Sequence, residues 1–571
     1  MTERSVYVDV ARGPVLGLLH VPDQPRGSAV LIVPPFGWEA VASYRPRRAW
    51  AEALATAGHL AMRIDLPGAG DSAGTPEDDD LLGAWVGAVD AAARWLVDEA
   101  GASSVAVIGI GLGGLLAVLA ADGGAPIDDL VLWGTPSRGR RLVREIEAFA
   151  YLEDKAPEVL DELRDAEPLD PGTIEAGGYL LCVETAAALN AVDLATLELA
   201  GSAGRRALVL ARDGVTPDAR LMERLGERGF ITAVADGDGF GVMHAVPHEA
   251  ELPDTVVREV GLWLAARPGG GGALALPDGA PTTELPSGIR ELPMALDVDG
   301  VRLFGVLCEP EGEPTPLTAV FLNAGAIVRA GPNRMWTDAA RALAMRGIPS
   351  LRLDVEGIGD AGGGEVGNAD VTLYVPHYLR QITGALDALE ARGLPSRFVL
   401  AGLCSGSFWA FHQALEDPRV VKAVMLNPRL LLWDPNLVEM RETRDVLDKV
   451  SGASWRRALR GEWTARDAAR LSRKLAQAVR TKARTARVGL VEQELALSHM
   501  TAAQAQFVLA FSGDEPLHDE LAAGSLLARM SSLANVSVVD LPGRDHTLRP
   551  LAAQRAAHEV IAREIGGMDT V

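Results

Sequence analysis

Short apolar runs recur along the chain and alternate with longer stretches of helical period. In the early part these runs fall at 15–21, 29–33, 60–64, 105–108, 130–133 and 207–210. Runs this apolar suit strands buried on both faces, and their alternation with helical segments predicts a mostly parallel, doubly wound sheet. After residue 288 a second series follows at 301–308, 319–322, 349–353, 398–401, 423–426, 507–511 and 536–541. Helices are predicted at 48–56, ended by Gly58, and at about 336–344, ended by Gly347. Others are expected to join the strands.

The two series repeat one another. Gly58 stands before a strand and Asp65; Gly347 stands at the same spacing before a strand and Asp354. Each aspartate opens an Asp-x-x-Gly-x-Gly-Asp turn, Asp65 to Asp71 and Asp354 to Asp360. Turns that rich in glycine need left-handed backbone or close approach. Between the halves lies a stretch at 267–288 punctuated by glycines and by Pro277, Pro281 and Pro286, which reads as a linker. The expected organisation is therefore 1–266, linker 267–288, and 289–571, each half with a helical insertion between late strands. The insertion of the second half is placed at about 430–500.

Composition narrows the function classes. A length of 571 residues exceeds one ordinary core. A formal charge of −23 opposes binding to nucleic acid or anionic membrane. No apolar run near membrane-spanning length and no signal-like start is seen, so a cytoplasmic location is expected. The three cysteines, Cys182, Cys308 and Cys404, form no CxxC pair, which points away from a disulfide framework or structural zinc. No metal and no cofactor is expected.

Candidate chemistry sits in the turn after 398–401. The run Gly402-Leu-Cys404-Ser405-Gly406 enters a helix and has the G-x-S-x-G form with Cys in the central place. A helix N-terminus behind a cysteine lowers the cost of a thiolate. The Ser405 N–H would stabilise an oxyanion, with a second N–H from the 323–326 loop at Ala324. A nucleophile needs a base, and the base an orienting acid. Asp514 follows the strand at 507–511 and His546 follows the strand at 536–541, in the order this fold requires. Asp514 is taken as the acid, with Glu515 and Asp519 as alternatives. Ser405 is a rival nucleophile one place too late.

The matching turn of the first half is Gly109-Ile-Gly111-Leu-Gly113. Glycine at 111 has no atom to attack with, so this half reads as catalytically inert. Gly109, Gly111 and Gly114 also fit a dinucleotide fingerprint, but it should open the first βαβ unit and here it comes after several strands. Asp213, His244 and His248 lie near the acid and base positions of this half.

On these turns the chain resembles the α/β-hydrolase superfamily, in tandem. Through Asn323-Ala-Gly to Arg334, Asp354 to Asp360, Gly402 to Gly406 and Asp545-His546-Thr547, the second half resembles bacterial hydrolases of exosortase and exopolysaccharide gene neighbourhoods. The first half resembles a sister group, through Pro34-Pro-Phe, Asp65 to Ser72 and Met243 to His248. The Cys404, Asp514 and His546 set is similar in kind to that of dienelactone hydrolase. The resemblance implies two α/β-hydrolase folds and acyl chemistry.

Charge in the insertions adds a partner expectation. Residues 441–487 hold fourteen Lys and Arg against five acids. Arg456 and Arg457 in this basic lid are candidates for holding a phosphate-bearing donor, such as coenzyme A or a carrier-protein arm. The first insertion is acidic between Glu153 and Glu175, so the two segments facing each other is the local alternative. The reading is cysteine-dependent acyl transfer on a small-molecule ester, lactone or thioester. Its rivals are a lyase or cyclase using His546 without a covalent step, and a non-catalytic binding or scaffold protein.

Overall fold

The computed structural model describes residues 1–154, 169–267, 274–277, 281–363, 373–432 and 492–567. In the first half the strands are β1 (Thr2–Val8), β2 (Val15–Val21), β3 (Ser28–Val33), β4 (Leu60–Ile64), β5 (Ser104–Ile110), β6 (Asp129–Trp133), a small hairpin of β7 (Ile174–Ala176) and β8 (Tyr179–Leu181), then β9 (Arg206–Leu210) and β10 (Ile231–Ala235). In the second they are β11 (Thr283–Glu284), β12 (Arg290–Val298), β13 (Val301–Glu309), β14 (Thr318–Leu322), β15 (Ser350–Asp354), β16 (Phe398–Leu403), β17 (Val420–Leu426), β18 (Gln506–Phe511) and β19 (Val536–Asp540).

The first sheet has the order β1-β2-β4-β3-β5-β6-β9-β10. The second has the order β12-β13-β15-β14-β16-β17-β18-β19, with β11 added outside β12. Without β11 the two orders are the same. The antiparallel pairs are β1–β2 and β2–β4 in the first sheet and β11–β12, β12–β13 and β13–β15 in the second; the remaining pairs are parallel. This is the α/β-hydrolase sheet, present twice. The central strands are buried along their whole length, as the apolar runs demand.

Four sheet strands escaped the sequence reading. β1 opens on four polar residues and is largely open to solvent, and β12 sets the apolar run Leu292–Leu296 between charged residues, with Ala295 exposed. β10 is a sheet edge with Ile231 and Val234 exposed, and β11 lies inside the stretch read as linker. The first insertion, expected to be helical, also contains the β7–β8 hairpin. Residues 155–168 and 433–491 lie outside the described residues, and with them the charged parts of both insertions.

The halves meet through reciprocal contacts. Arg63 stands two residues before Asp65 on β4, and Arg352 two before Asp354 on β15. Arg63 pairs with Asp360 of the second half at 2.5 Å, and Arg352 with Asp71 of the first at 3.0 Å. Arg48 donates to the carbonyls of Gly359 (2.8 Å) and Ala361 (2.5 Å). Its counterpart Arg334 donates to those of Gly70 (3.1 Å) and Ser72 (2.8 Å). Leu16, Leu18 and Tyr44 pack on Phe304 and Val306 beside this exchange. Each half thus presents the same patch to the other, the pattern of a two-fold dimer within one chain.

Charges removed from water this completely must be paired. Burial alone would raise the Asp360 carboxyl, but Arg63, Arg329 and Arg48 outweigh it and hold it well below the usual range. Glu291 is likewise buried, yet Arg341 and Arg352 bring it down to about 2. Arg352→Ala would leave Asp71 and Glu291 short of a partner, and should cost about 3–5 kcal/mol in urea unfolding; a loss below about 1 kcal/mol would mean that the pair contributes nothing beyond a surface bridge. The pH sign follows from the depressed values. The stabilisation from Glu291 and Asp360 is complete above the unfolded carboxylate values, near ~4, and fades as pH falls toward the folded ones. Urea midpoints should therefore decline through this acid window, and a flat profile there would contradict the network's role.

Candidate active site

β16 runs into Cys404, and the helix Ser405–Glu416 starts immediately after it. Cys404 adopts φ 58 and ψ −113, a left-handed backbone that a side chain rarely takes. Such a conformation costs on the order of 1–3 kcal/mol and persists only when the surroundings enforce it. Here the Cys404 N–H is tied to Leu426 O on the neighbouring strand at 3.1 Å. The partly exposed thiol lies 3.6 Å from the Tyr374 hydroxyl.

His546 reaches the same place from the loop after β19. Its Nδ1 is 2.8 Å from Glu515 Oε1, a carboxylate only 3% exposed. Among the described residues its buried Nε2 has no conventional hydrogen-bond partner, yet the imidazole and the thiol are close enough to shift each other's protonation. Burial would raise the Cys404 thiol, but His546, with help from Arg429 and Tyr374, brings it below its ordinary value. Burial would lower His546, but Cys404 and Glu515 together raise it to about 10. The arrangement favours a thiolate–imidazolium pair over thiol and neutral imidazole.

Asp514 does not stand beside His546. It takes φ 62 at the turn after β18, its side chain is 68% exposed, and it pairs with Arg544 at 3.2 Å. The left-handed residue reverses the chain, so the inward position falls one place later, on Glu515. The same loop is fixed by Asn427 at the end of β17. Its Nδ2 donates to Ser512 Oγ and to His546 O, both at 2.9 Å, and its Oδ1 accepts from Ser512 N. One side chain thus ties the acid loop to the histidine loop. Asn427, Tyr374 and Arg429 carry no motif, and only the crossing of distant segments reveals them.

Ser405 is buried, and its hydroxyl accepts from the Gly325 N–H at 3.0 Å. That bond draws the 323–327 loop onto the elbow and occupies the Ser405 side chain. Among the described residues no hydrogen-bond partner is found for the backbone N–H of Ser405 or of Ala324. Both N–H groups flank the elbow. Asp545 accepts from Thr547 and Arg549 and shapes the loop after His546. Arg456 and Arg457 lie outside the described residues.

The first half keeps the elbow without the thiol. Gly111 takes φ 54 and ψ −114, within a few degrees of Cys404. A Cβ built there would meet only ordinary contacts, with Pro35 at 3.6 Å and Glu39 at 3.8 Å. The strand register pairs Val33 with Gly109 and Leu322 with Gly402. Pro34 and Pro35 therefore stand where Asn323 and Ala324 stand in the second half, and proline has no N–H to offer. Asp213, in the acid position, accepts from the N–H groups of Gly239, Phe240 and Gly241. His244 bonds Phe240 O, and His248 is half-exposed beside Glu249.

Glu3, His20 and Glu52 approach one another closely enough to suggest a cation site. Arg48 already pairs with both carboxylates, at 3.1 and 3.0 Å. His20 Nε2 accepts from Arg63, so its free nitrogen carries the proton in the neutral ring. The group does not fit a metal.

No protein-family model matches the sequence, and no curated protein matches it either. Solved structures similar to part of it include Est1E from Butyrivibrio proteoclasticus with ferulic acid bound, at 16% identity and TM-score 0.34. A dienelactone hydrolase from Anabaena variabilis shows 15% identity and TM-score 0.30. The thioesterase domain of the curacin biosynthetic pathway shows 17% and 0.29. These cover 46%, 48% and 47% of this chain and 100%, 96% and 98% of their own. Likeness at this level carries no statement about substrate.

The electrostatics give a direct test. The alkylation rate of Cys404 by iodoacetamide should stay high below the ordinary thiol range. Glu515→Gln should push the onset of reactivity toward that range, because the imidazolium loses its carboxylate. Asp514→Asn should leave the profile in place. A shift with Asp514→Asn and none with Glu515→Gln would reverse the assignment.

Proposed function

We propose that the second half catalyses acyl transfer of the hydrolase type, with Cys404 as nucleophile, His546 as acid–base and Glu515 as its orienting carboxylate. The observation that carries this reading is the thiol and imidazole coupled at a strained elbow, with Glu515 2.8 Å behind the imidazole. The Cys404 thiolate attacks the carbonyl carbon of an ester, lactone or thioester. The oxyanion forms against the N–H groups of Ser405 and Ala324. As the tetrahedral species collapses, the imidazolium gives its proton to the leaving alkoxide or thiolate. An acyl-cysteine remains with a neutral imidazole. Water or a hydroxyl acceptor then attacks while His546 takes its proton, and the thiolate–imidazolium pair returns. Thiol, imidazole and carboxylate all come from the chain, so these steps call for no cofactor.

Among the described residues no helix is long and apolar enough to cross a membrane, and the substrate is read as a small molecule. The donor class is drawn from the basic segment 441–487. An acyl thioester of coenzyme A or of a carrier-protein arm brings phosphate, which arginine binds well. Arg456→Glu with Arg457→Glu should then raise KM for a coenzyme A thioester and leave a small neutral ester unaffected. Equal effects on both would remove the donor role.

The central test is intact mass after incubation with short acyl thioesters. Wild-type protein should carry one acyl group on Cys404, and Cys404→Ala should carry none and turn nothing over. Turnover surviving in Cys404→Ala would sink covalent catalysis and favour a lyase or cyclase using His546 alone.

A further inference from the structure

The first half lacks a nucleophile and an oxyanion donor, yet its side chains lead to both loops that flank Cys404. One path begins at Asp71, fully buried in the first half. Asp71 Oδ2 pairs with Arg329 Nη2 at 2.9 Å, and Arg329 Nη1 pairs with Asp354 Oδ2 at 2.8 Å. The Arg329 backbone N–H also donates to Asp354 Oδ1, at 2.7 Å. Asp354 Oδ1 accepts from Asn323 Nδ2 at 2.9 Å, and the same amide nitrogen holds Ile327 O at 3.0 Å. Asn323 Oδ1 accepts from Val355 N at 3.1 Å. Both ends of the 323–327 loop, which carries Ala324, are thereby fixed to a carboxylate whose own guanidinium partner is held from the other half.

The second path runs through the β7–β8 hairpin. Glu175 Oε1 accepts from the Leu551 N–H at 2.7 Å, and Gly178 O accepts from Gln554 Nε2 at 2.9 Å. Gln554 also donates to Arg549 O, and Asn333 to Leu548 O, within the loop that follows His546. Gly178 presses so closely that an added Cβ would meet Asn333 Oδ1 at 2.4 Å and Arg549 O at 2.8 Å.

The first path runs one way only. Pro46, Arg48 and Trp50 stand to the first helix as Pro332, Arg334 and Trp336 stand to the second, and this spacing puts Ser43 in the place of Arg329. In the first half the buried Arg47 instead donates to Ser43 Oγ and to Ala40 O, within its own half.

We propose that the first half is a positioning domain for the site of the second: Asp71, through Arg329 and Asp354, sets the oxyanion loop, and the 174–181 hairpin sets the loop after His546. This rests on the acyl-transfer reading. Asp71 and the hairpin touch no reacting atom; they act through Ala324 and His546.

The two paths have different signatures. Alkylation of Cys404 by iodoacetamide needs the thiolate but no oxyanion hole, whereas thioester turnover needs both. Asp71→Asn, measured well below its melting temperature, should lower kcat for a short acyl thioester by about ten- to hundredfold. KM and the pH profile of alkylation should hold. Gly178→Ala, which wedges the hairpin off the histidine loop, should lower turnover and alkylation together and move the alkylation profile toward the ordinary thiol range. It leaves both cores intact, so it serves if Asp71→Asn does not fold. If Cys404→Ala abolishes turnover while the folded variants keep wild-type kcat and alkylation, the positioning role is overturned and the catalytic reading stands. Loss of turnover and alkylation in equal measure with Asp71→Asn would also overturn it, as damage to the fold at large. If turnover ignores Cys404→Ala, the acyl-transfer reading has failed, and the positioning proposal falls with it.

Discussion

Arg329 is fully buried and meets three carboxylates, Asp71 at 2.9 Å, Asp354 at 2.8 Å and Asp360 at 2.6 Å. A lone guanidinium in such a place would be prohibitively costly, and so would any one of the carboxylates. Together with Arg63 and Arg352 they neutralise one another, and the arrangement has meaning only while the halves are joined. Two of the partners belong to the second half and one to the first. Parting the halves would leave buried-type charges without counter-charges. The interface is therefore specific in register as well as in partner, since a shift of either turn would break several charge-assisted bonds at once.

The same elbow, sheet order and Asp-x-x-Gly-x-Gly-Asp turn occur on both sides of that interface. What differs is small and local. Cys404 stands against Gly111, Ala324 against Pro35, and Arg329 against Ser43. Each change leaves the first half without a group that the second has: a thiol at the elbow, an N–H in the loop beside it, and the guanidinium that pairs with Asp354. The left-handed backbone at Gly111 costs glycine little, so the same turn forms in both halves. The first half keeps the surface that meets its partner, and this is the surface from which Asp71 and the hairpin reach toward the other site.

Within the second half, burial and charge act in opposition around Cys404. Desolvation disfavours a thiolate and an imidazolium separately, and their proximity favours both together. Glu515, buried and next to His546, tilts the balance further toward the charged pair. Tyr374 contacts the sulfur itself and Asn427 ties the acid loop to the histidine loop, so the pair and its surroundings are drawn from five separate segments of chain.

Much of this was written in local pattern. The strands at 15–21, 60–64 and 319–322 are apolar enough to be buried on both faces, and their alternation with helices specifies a parallel sheet. The repeated spacing from Gly58 to Asp65 and from Gly347 to Asp354 shows that one fold occurs twice. Cys404 and His546 were legible because an elbow and a post-strand histidine are features of short sequence. β1 and β10 were not, since edge strands with an open face need no fully buried apolar run, and β12 was missed because charged residues bracket its short apolar stretch. The carboxylate beside His546 was decided by tertiary structure: Asp514 and Glu515 are adjacent, and only the left-handed turn at 514 determines which one points inward. The pairing of Asp71 with Arg329 and Arg352 also lay beyond sequence, for these residues are hundreds of positions apart. Sequence sets which charges must find a partner once buried; packing of the two halves decides which partner each one finds.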